Sequence, residues 1–134
     1  MEFQIPSDVG AIAPVVDKIV DGIRESRCLP GRESDIAVAL FEALANAVIH
    51  GNREDQSKQV RIVCRRQPLD CLSIIVSDEG TGFDPAAVPD PTLPENIGAE
   101  HGRGILMMRA YMDEVRFENG GTEVHMIKKC EAVP

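Results

Sequence analysis

The chain has 134 residues, of which 43% are hydrophobic, and it carries a formal net charge of −8 at pH 7. We therefore expect one globular domain, residues 1–134, with a single core and no membrane-spanning segment. The acidic balance argues against direct nucleic-acid binding, although backbone N–H groups and a cation can still hold a nucleotide. The N-terminal residues lack the pattern of a signal peptide, so we expect a cytoplasmic protein.

The first part of the chain predicts a short strand followed by two helices. Residues 2–5 form the strand, and from residue 7 or 8, both suitable N-caps, apolar residues recur at helical spacing to about residue 27. A second helix is predicted from about residue 33 to residue 50. Gly51 and Asn52 supply its C-terminal stop.

The middle of the chain predicts an antiparallel hairpin. Residues 60–64 alternate, a turn at 67–70 reverses the chain, and residues 72–76 form a deeply buried apolar strand. Cys64 and Cys71 lie on either side of the turn and could be cross-strand neighbours, but buried thiols are the favoured interpretation. Because none of the four cysteines forms a C-x-x-C pair, the sequence disfavours a zinc site.

The remaining third of the chain predicts a long loop and a final hairpin. Residues 84–101 are rich in proline and glycine, which favours a functional lid or binding loop. A helix at 104–112, a strand at 114–118, a turn at 119–121 and a last strand at 122–128 follow. The order is mixed α/β, with helices on one face of a sheet.

Three polar residues of the second helix, Glu42, Asn46 and His50, are spaced four apart and share one stripe. An asparagine is a poor residue in the middle of a helix, and its amide oxygen is a natural Mg²⁺ ligand. Glu42 would lie one turn away, where a carboxylate can accept a proton from an attacking hydroxyl. The alternative is an ordinary solvated helix face, and His50 is more typical of a packing or capping residue.

Two glycine-rich elements complete the pattern. Asp78 ends the buried strand and opens the turn that contains Gly80 and Gly82, where a carboxylate can accept a hydrogen bond from the amine of adenine. Taken alone, this motif would be an ordinary Asp-Gly turn. Gly102 and Gly104 flank Arg103 before a predicted helix. The free N–H groups at the start of that helix can bind phosphate, and Arg103 can add a positive charge. The alternative is a flexible loop end.

Residues 41–51, 78–85, 102–115 and 121–124, taken in this order, resemble the N-box, the two glycine boxes and the last strand of the GHKL ATPase superfamily. The closer resemblance is to the bacterial anti-sigma-factor serine/threonine kinases, and it covers essentially the whole chain. It implies a Bergerat-type fold, a two-layer α/β sandwich whose mixed, mostly antiparallel sheet carries helices on one face. An ATP lid would lie at about residues 84–104.

The resemblance also implies roles for single residues. Glu42 would be the general base, Asn46 would hold Mg²⁺, and Asp78 would bind the adenine amine with Thr122 beside it. The glycines of the two boxes would shape the adenine pocket and the lid. Arg103, predicted from its own charge and position, completes the set expected to bind ATP and its metal: Asn46, Asp78, Gly80, Gly82, Gly102, Arg103, Gly104 and Thr122.

The leading hypothesis is therefore an ATP- and Mg²⁺-dependent kinase that phosphorylates a serine on a small anti-sigma-factor antagonist of the STAS type. The resemblance also implies that a sigma factor can be a partner, and it leaves a homodimer open. Many family members carry a basic residue just before the lid glycines, where this chain has Glu100 and His101. This departure favours a rival, a nucleotide-gated binding module without phosphoryl transfer; a slow ATPase is a third hypothesis.

Overall fold

A computed structural model describes residues 1–27, 29–67, 71–82 and 100–129, which contain three α-helices and five strands. The helices are α1 (Ile12–Glu25), α2 (Glu33–Ala45, continued by a π-helical turn at Asn46–Gly51) and α3 (Glu100–Tyr111). The strands are β1 (Glu2–Pro6), β2 (Gln59–Gln67), β3 (Cys71–Ser77), β4 (Glu114–Glu118) and β5 (Glu123–Lys129).

The strands form one sheet in the order β1-β2-β3-β5-β4, and every described pairing is antiparallel. The predicted α/β sandwich is therefore confirmed, but its sheet is antiparallel throughout the described strands and not mixed. Two hairpins, β2-β3 and β4-β5, meet where β3 pairs with β5. This pairing places the end of β3 beside the start of β5.

Buried residues of neighbouring strands share the sheet face that the helices cover. Val76, for example, pairs with Ile62 on one side and Val124 on the other, and all three are almost fully buried. The core side of α2 and its π-helical continuation is formed by five buried residues, Ile36, Leu40, Ala43, Leu44 and Ala47. By length and composition Glu33–Gly51 is the one described helix that could cross a membrane, but these buried residues make it a core helix.

The start of the first helical region distinguishes the two predicted caps. The Asp8 carboxylate accepts a hydrogen bond from the Gly10 amide at 3.1 Å, and the 3₁₀ turn Val9–Ala11 leads directly into α1. Ser7 is fully buried and bonds elsewhere, to the Lys58 carbonyl at 2.7 Å. Asp8 is therefore the cap.

The hairpin register separates the two cysteines. Cys64 pairs with Ile74, whereas Cys71 pairs with Gln67, so they are not cross-strand neighbours. Cys64 is a buried thiol, and burial raises its pKa to about 11. The hypothesis of a neighbouring pair is wrong, and the thiol of Cys64 behaves as a buried apolar group.

Two predicted boundaries shift. The helix expected at 104–112 begins at Glu100, so Gly102, Arg103 and Gly104 lie in its first turns and not before it. Glycine near the end of a helix is compatible with helical geometry. Gly102 and Gly104 therefore did not mark the start of α3, as the sequence had predicted. The reversal at residues 68–70 and residues 84–99 of the predicted lid lie outside the described residues.

Candidate nucleotide-binding site

A cavity of about 210 Å³ lies between the end of α2 and the start of α3. Its lining residues are Glu42, Ala45, Asn46, Ile49, His50 and Gly104. All three members of the predicted polar stripe therefore line one cavity, which argues against the alternative of an ordinary solvated helix face.

The helix changes its geometry within this stripe. From Asn46 to Gly51 it forms a π-helical turn, and the Asn52 amide donates to the Ala47 carbonyl at 2.8 Å. Turns of this type are rare and often occur at functional sites. Asn46 and His50 both line the cavity, so the π-helical turn forms part of its wall.

Gly104 brings the first turns of α3 against Glu42. It is buried, and a Cβ added to it would lie 3.3 Å from Glu42 Oε2. A side chain at this position would therefore crowd the Glu42 carboxylate. The first N–H groups of α3, around Gly102 and Arg103, have no acceptor within the helix, so they can serve an anion. The Arg103 side chain is exposed to solvent.

Asp78 lies where β3 ends, in a segment that we call the Asp78 turn (residues 78–82). Its amide donates to the Thr122 carbonyl at 2.9 Å, and its Oδ1 accepts from the Gly80 amide at 2.8 Å. Burial raises the pKa of Asp78, although the Gly80 hydrogen bond and the charge of Lys58 act in the opposite direction. A half-buried carboxylate of this kind is a typical feature of a binding site.

The glycines of this region allow close backbone approaches. A Cβ on Gly80 would overlap the Gly51 carbonyl oxygen, and one on Gly51 would overlap the Asp78 carboxylate. Gly82 has φ of +80°, and a Cβ there would overlap the Gly120 carbonyl oxygen. The end of α2 and the β4-β5 turn therefore both pack directly on the Asp78 turn.

These contacts place the cavity between α2 and α3 next to the Asp78 turn. Asn46 and His50 line the cavity, and Gly51, the next residue, lies against Asp78. A ligand that reaches from Asp78 to the first turn of α3 would pass along the π-helical turn. This is the arrangement that the sequence predicts for a nucleotide, with its base at Asp78 and its phosphates at α3.

Asn52 is a residue whose part in the site the sequence did not reveal. Its side chain is 1% exposed, donates to Ser7 Oγ at 2.8 Å and to the Gln59 carbonyl at 3.0 Å, and accepts from the Glu79 amide at 2.7 Å. In the sequence it had been assigned only to a helix stop. Its partners are distant along the chain, so no local pattern could identify the network.

Within the described residues, no group of three or more His, Cys, Asp or Glu side chains could hold a metal ion. Asn46 nevertheless lines the cavity, one helical turn from Glu42, and its side chain carries an amide oxygen. An oxygen donor of this kind suits Mg²⁺, which commonly takes one or two protein ligands and completes its shell with water and phosphate oxygens.

The fold and this site define a nucleotide-binding α/β sandwich. Residues 5–128 match the histidine kinase-like ATPase domain family, and the chain belongs to that family. The predicted resemblance to the GHKL superfamily is thereby confirmed, and with it an ATP-binding type of domain.

Among named relatives, the anti-sigma F factor of Clostridium novyi is 32% identical over 105 residues, covering 75% of this chain and 73% of the relative. The serine-protein kinase RsbW of Bacillus subtilis is 36% identical over 105 residues, covering 70% of this chain and 62% of the relative. These names agree with the predicted class, an anti-sigma-factor serine kinase.

A solved structure supports the fold independently. The histidine kinase domain of the blue-light-activated histidine kinase EL346 from Erythrobacter litoralis superposes with a TM-score of 0.51. The match covers 92% of this chain and 59% of that one at 20% sequence identity. At this identity the likeness shows the fold alone. The roles of single site residues remain predictions.

Proposed function

We propose that this protein is an ATP-dependent protein serine/threonine kinase of a cytoplasmic partner-switching system. Its substrate would be a serine on a small STAS-type antagonist protein, and a sigma factor would be a partner that it sequesters. Family membership and the names of the relatives support the class. The position of Glu42 carries the proposal of phosphoryl transfer.

Glu42 lies between two cavities. Besides the site cavity, it lines a groove of about 340 Å³ between α1 and α2, which we call the α1-α2 groove; the other lining residues are Ala13, Val16, Asp17, Ala37, Val38 and Phe41. Phe41 is 42% exposed, so the groove has an open apolar wall. A carboxylate in this position can be approached by a nucleotide from one side and by a protein hydroxyl from the other.

Phosphoryl transfer needs positioning and charge stabilisation more than covalent chemistry. In the proposed complex, Asp78 accepts a hydrogen bond from the adenine amine, and Thr122 stands beside it. Asn46 would hold Mg²⁺, which would supply positive charge to the phosphates, while the first N–H groups of α3 and Arg103 would bind the terminal phosphate. Glu42 would take the proton of the serine hydroxyl as the serine oxygen bonds to the terminal phosphorus and ADP leaves.

One observation favours a second candidate, a nucleotide-gated binding module. The positions before the lid glycines are Glu100 and His101, so the basic residue common there in the resembling kinases is missing from this sequence. Arg103, inside the first turns of α3, is the nearby cation and is exposed. In this alternative, lid closure over ATP or ADP would set the affinity for a partner protein without transfer.

The deciding experiment uses γ-labelled ATP, Mg²⁺ and soluble lysate from the protein's own source, with Glu42→Gln as the control. We expect one small protein to carry label on serine with the wild type, and at least about a hundredfold less with Glu42→Gln, as general-base loss generally costs. ADP affinity of the variant should be unchanged. Equal labelling by both proteins would remove Glu42 as the base.

Two other outcomes select the rivals. Intact ADP and ATP binding without any labelled protein would favour the nucleotide-gated module. Release of free phosphate by the purified wild type, lost in Glu42→Gln, would instead indicate an ATPase in which Glu42 activates water.

A further inference from the structure

We propose that Asn52 is a positioning residue for adenine recognition, because it fixes the peptide that directly follows Asp78. The inference rests on the proposed function, in which the Asp78 carboxylate accepts a hydrogen bond from the adenine amine. In this inference Asn52 does not contact the nucleotide. It supports the selectivity for adenine by holding the Glu79 amide, which directly follows Asp78.

The hydrogen bonds of the Asp78 turn show how tightly its backbone is held. Three consecutive amides each have a different acceptor: that of Asp78 donates to the Thr122 carbonyl at 2.9 Å, that of Glu79 to Asn52 Oδ1 at 2.7 Å, and that of Gly80 to Asp78 Oδ1 at 2.8 Å. The first bond belongs to the sheet and the third lies within the turn. Of these three hydrogen bonds, the one to Asn52 connects the turn to the residue that follows the π-helical end of α2.

The orientation of the Asn52 amide follows from its partners. An N–H of Glu79 can only donate and the Gln59 carbonyl can only accept, so Oδ1 must face Glu79 and Nδ2 must face Gln59. The second Nδ2 hydrogen goes to Ser7 Oγ at 2.8 Å, and Ser7 in turn donates to the Lys58 carbonyl at 2.7 Å. The side chain is therefore fully bonded and cannot rotate without losing buried hydrogen bonds.

A second contact supports the same turn from β2. The Gln59 amide donates to Glu79 Oε2 at 2.5 Å, so the backbone of Gln59 bonds both to Asn52 and to Glu79. Loss of the Asn52 side chain would leave the Glu79 amide without its acceptor while the sheet bond of Asp78 remained. We expect the Asp78 carboxylate to lose its orientation relative to a bound base, with the strands intact.

The test compares ADP with IDP, whose base carries a carbonyl oxygen in place of the adenine amine. Affinities are measured by calorimetry with Mg²⁺ for the wild type, Asn52→Ala, Asn52→Asp and Ser7→Ala. The wild type should prefer ADP by at least about tenfold, the effect of one hydrogen bond to a charged acceptor. In Asn52→Ala we expect this preference to fall towards one, mainly through weaker ADP binding.

The other variants distinguish the individual hydrogen bonds made by Asn52. Asn52→Asp keeps an acceptor for the Glu79 amide and should retain more of the preference than Asn52→Ala. Ser7→Ala leaves the Asn52–Glu79 bond in place and should keep nearly all of it. Should Asn52→Ala fail to fold, the comparison of Asn52→Asp and Asn52→Ser with Ser7→Ala tests the same bond.

Ile23→Val controls for a general loss of stability. Ile23 is 2% exposed and lines a separate cavity with Cys64 and Leu72, at the end of β3 opposite Asp78. Its variant should lower the melting temperature without changing the ratio of ADP to IDP affinity. A folded Asn52 variant with the wild-type ratio would overturn the positioning role. A wild type without preference for ADP would instead overturn the role of Asp78 and thus the proposed function.

Discussion

Asp78, which we propose binds the adenine amine, also has a cost to the stability of the free protein. Burial raises the pKa of its carboxyl above the ordinary value of 3.8, so the folded state holds the proton more tightly than the unfolded state. Stability therefore falls as pH rises from about 3.8 through the folded-state pKa, and the full cost is present at neutral pH. Binding sites often retain such locally unfavourable groups.

Asp78→Asn should separate these two effects. Because asparagine does not ionise, we expect the ligand-free variant to melt at or above the wild-type temperature at pH 7, with the difference shrinking as the pH falls towards 3.8. ADP binding should weaken at least about tenfold, since a hydrogen bond to a charged acceptor is lost. Thermal unfolding between pH 4 and pH 7 and calorimetry check the two parts.

The matched control for this prediction is Glu79→Gln, in the same turn. Glu79 is exposed, and a glutamine oxygen can still accept from the Gln59 amide. This variant should bind ADP normally and show no comparable pH-dependent gain. A lower melting temperature of Asp78→Asn at pH 7 would contradict the assigned cost of the buried carboxylate.

Single residues also show what the sequence could predict. Asp78, Gly80 and Gly82 form a contiguous motif, so their chemistry was visible before the fold was known. Ser7 and Asn52 are 45 positions apart but hydrogen-bonded, and the role of such a pair depends on tertiary packing. Ser7 was accordingly assigned as a possible helix cap, the local function typical of its residue type.

At the scale of elements, hydrophobic periodicity placed α1, α2 and all five strands, since burial on one face imposes a repeat on each. Two details of α2 and α3 were not predicted. The π-helical turn begins at Asn46 within an unbroken helical pattern, and α3 begins at Glu100, before the glycines that seemed to precede it. Both differences concern backbone geometry at the site, where local sequence preference is a weak guide.

The pairing of α1 with α2 makes a prediction about the protein substrate. Ala13 is an exposed residue of α1 that lines the α1-α2 groove, while Glu42 lies on α2. Ala13→Gln would add bulk to the groove without changing charge or the nucleotide cavity. We expect phosphorylation of the protein substrate to fall about tenfold, corresponding to about 1.4 kcal/mol of lost binding.

The control variant is Ala110→Gln, on an exposed position of α3 outside the lining residues of either cavity. It makes the same chemical change in a helix. Both variants should bind ADP with wild-type affinity, and only Ala13→Gln should slow transfer at low substrate concentration. Equal rates for the two variants would place the acceptor segment elsewhere.

At the scale of the whole molecule, the site is assembled from parts of the chain that meet only on folding. The β3-β5 pairing fixes Asp78 beside Thr122, α2 carries Glu42 and Asn46, and α3 closes the cavity through Gly104. A ligand that touches all three parts stabilises the folded state alone. At a concentration about 100 times its dissociation constant the gain is about 2.7 kcal/mol.

A variant of Asn46 can separate the stabilisation that comes from binding the base from the stabilisation that comes from binding the metal. We expect a non-hydrolysable ATP analogue to raise the melting temperature of the wild type more with Mg²⁺ than with a chelator. In Asn46→Ala the analogue should still raise the melting temperature with chelator, because the proposed contact of Asp78 with the base is unchanged. The additional rise caused by Mg²⁺ should largely disappear. Thermal unfolding with and without Mg²⁺ measures both terms for each protein.

Asp78→Asn provides the reciprocal comparison. It should lose the stabilisation measured with chelator but retain a Mg²⁺-dependent increment at high analogue concentration, because Asn46, the proposed Mg²⁺ ligand, is unchanged. If Asn46→Ala instead kept the full Mg²⁺ increment, the metal would be held by other groups of the fold. Opposite losses in the two variants would show that the base and the metal are bound by separate elements, which only the folded chain brings together.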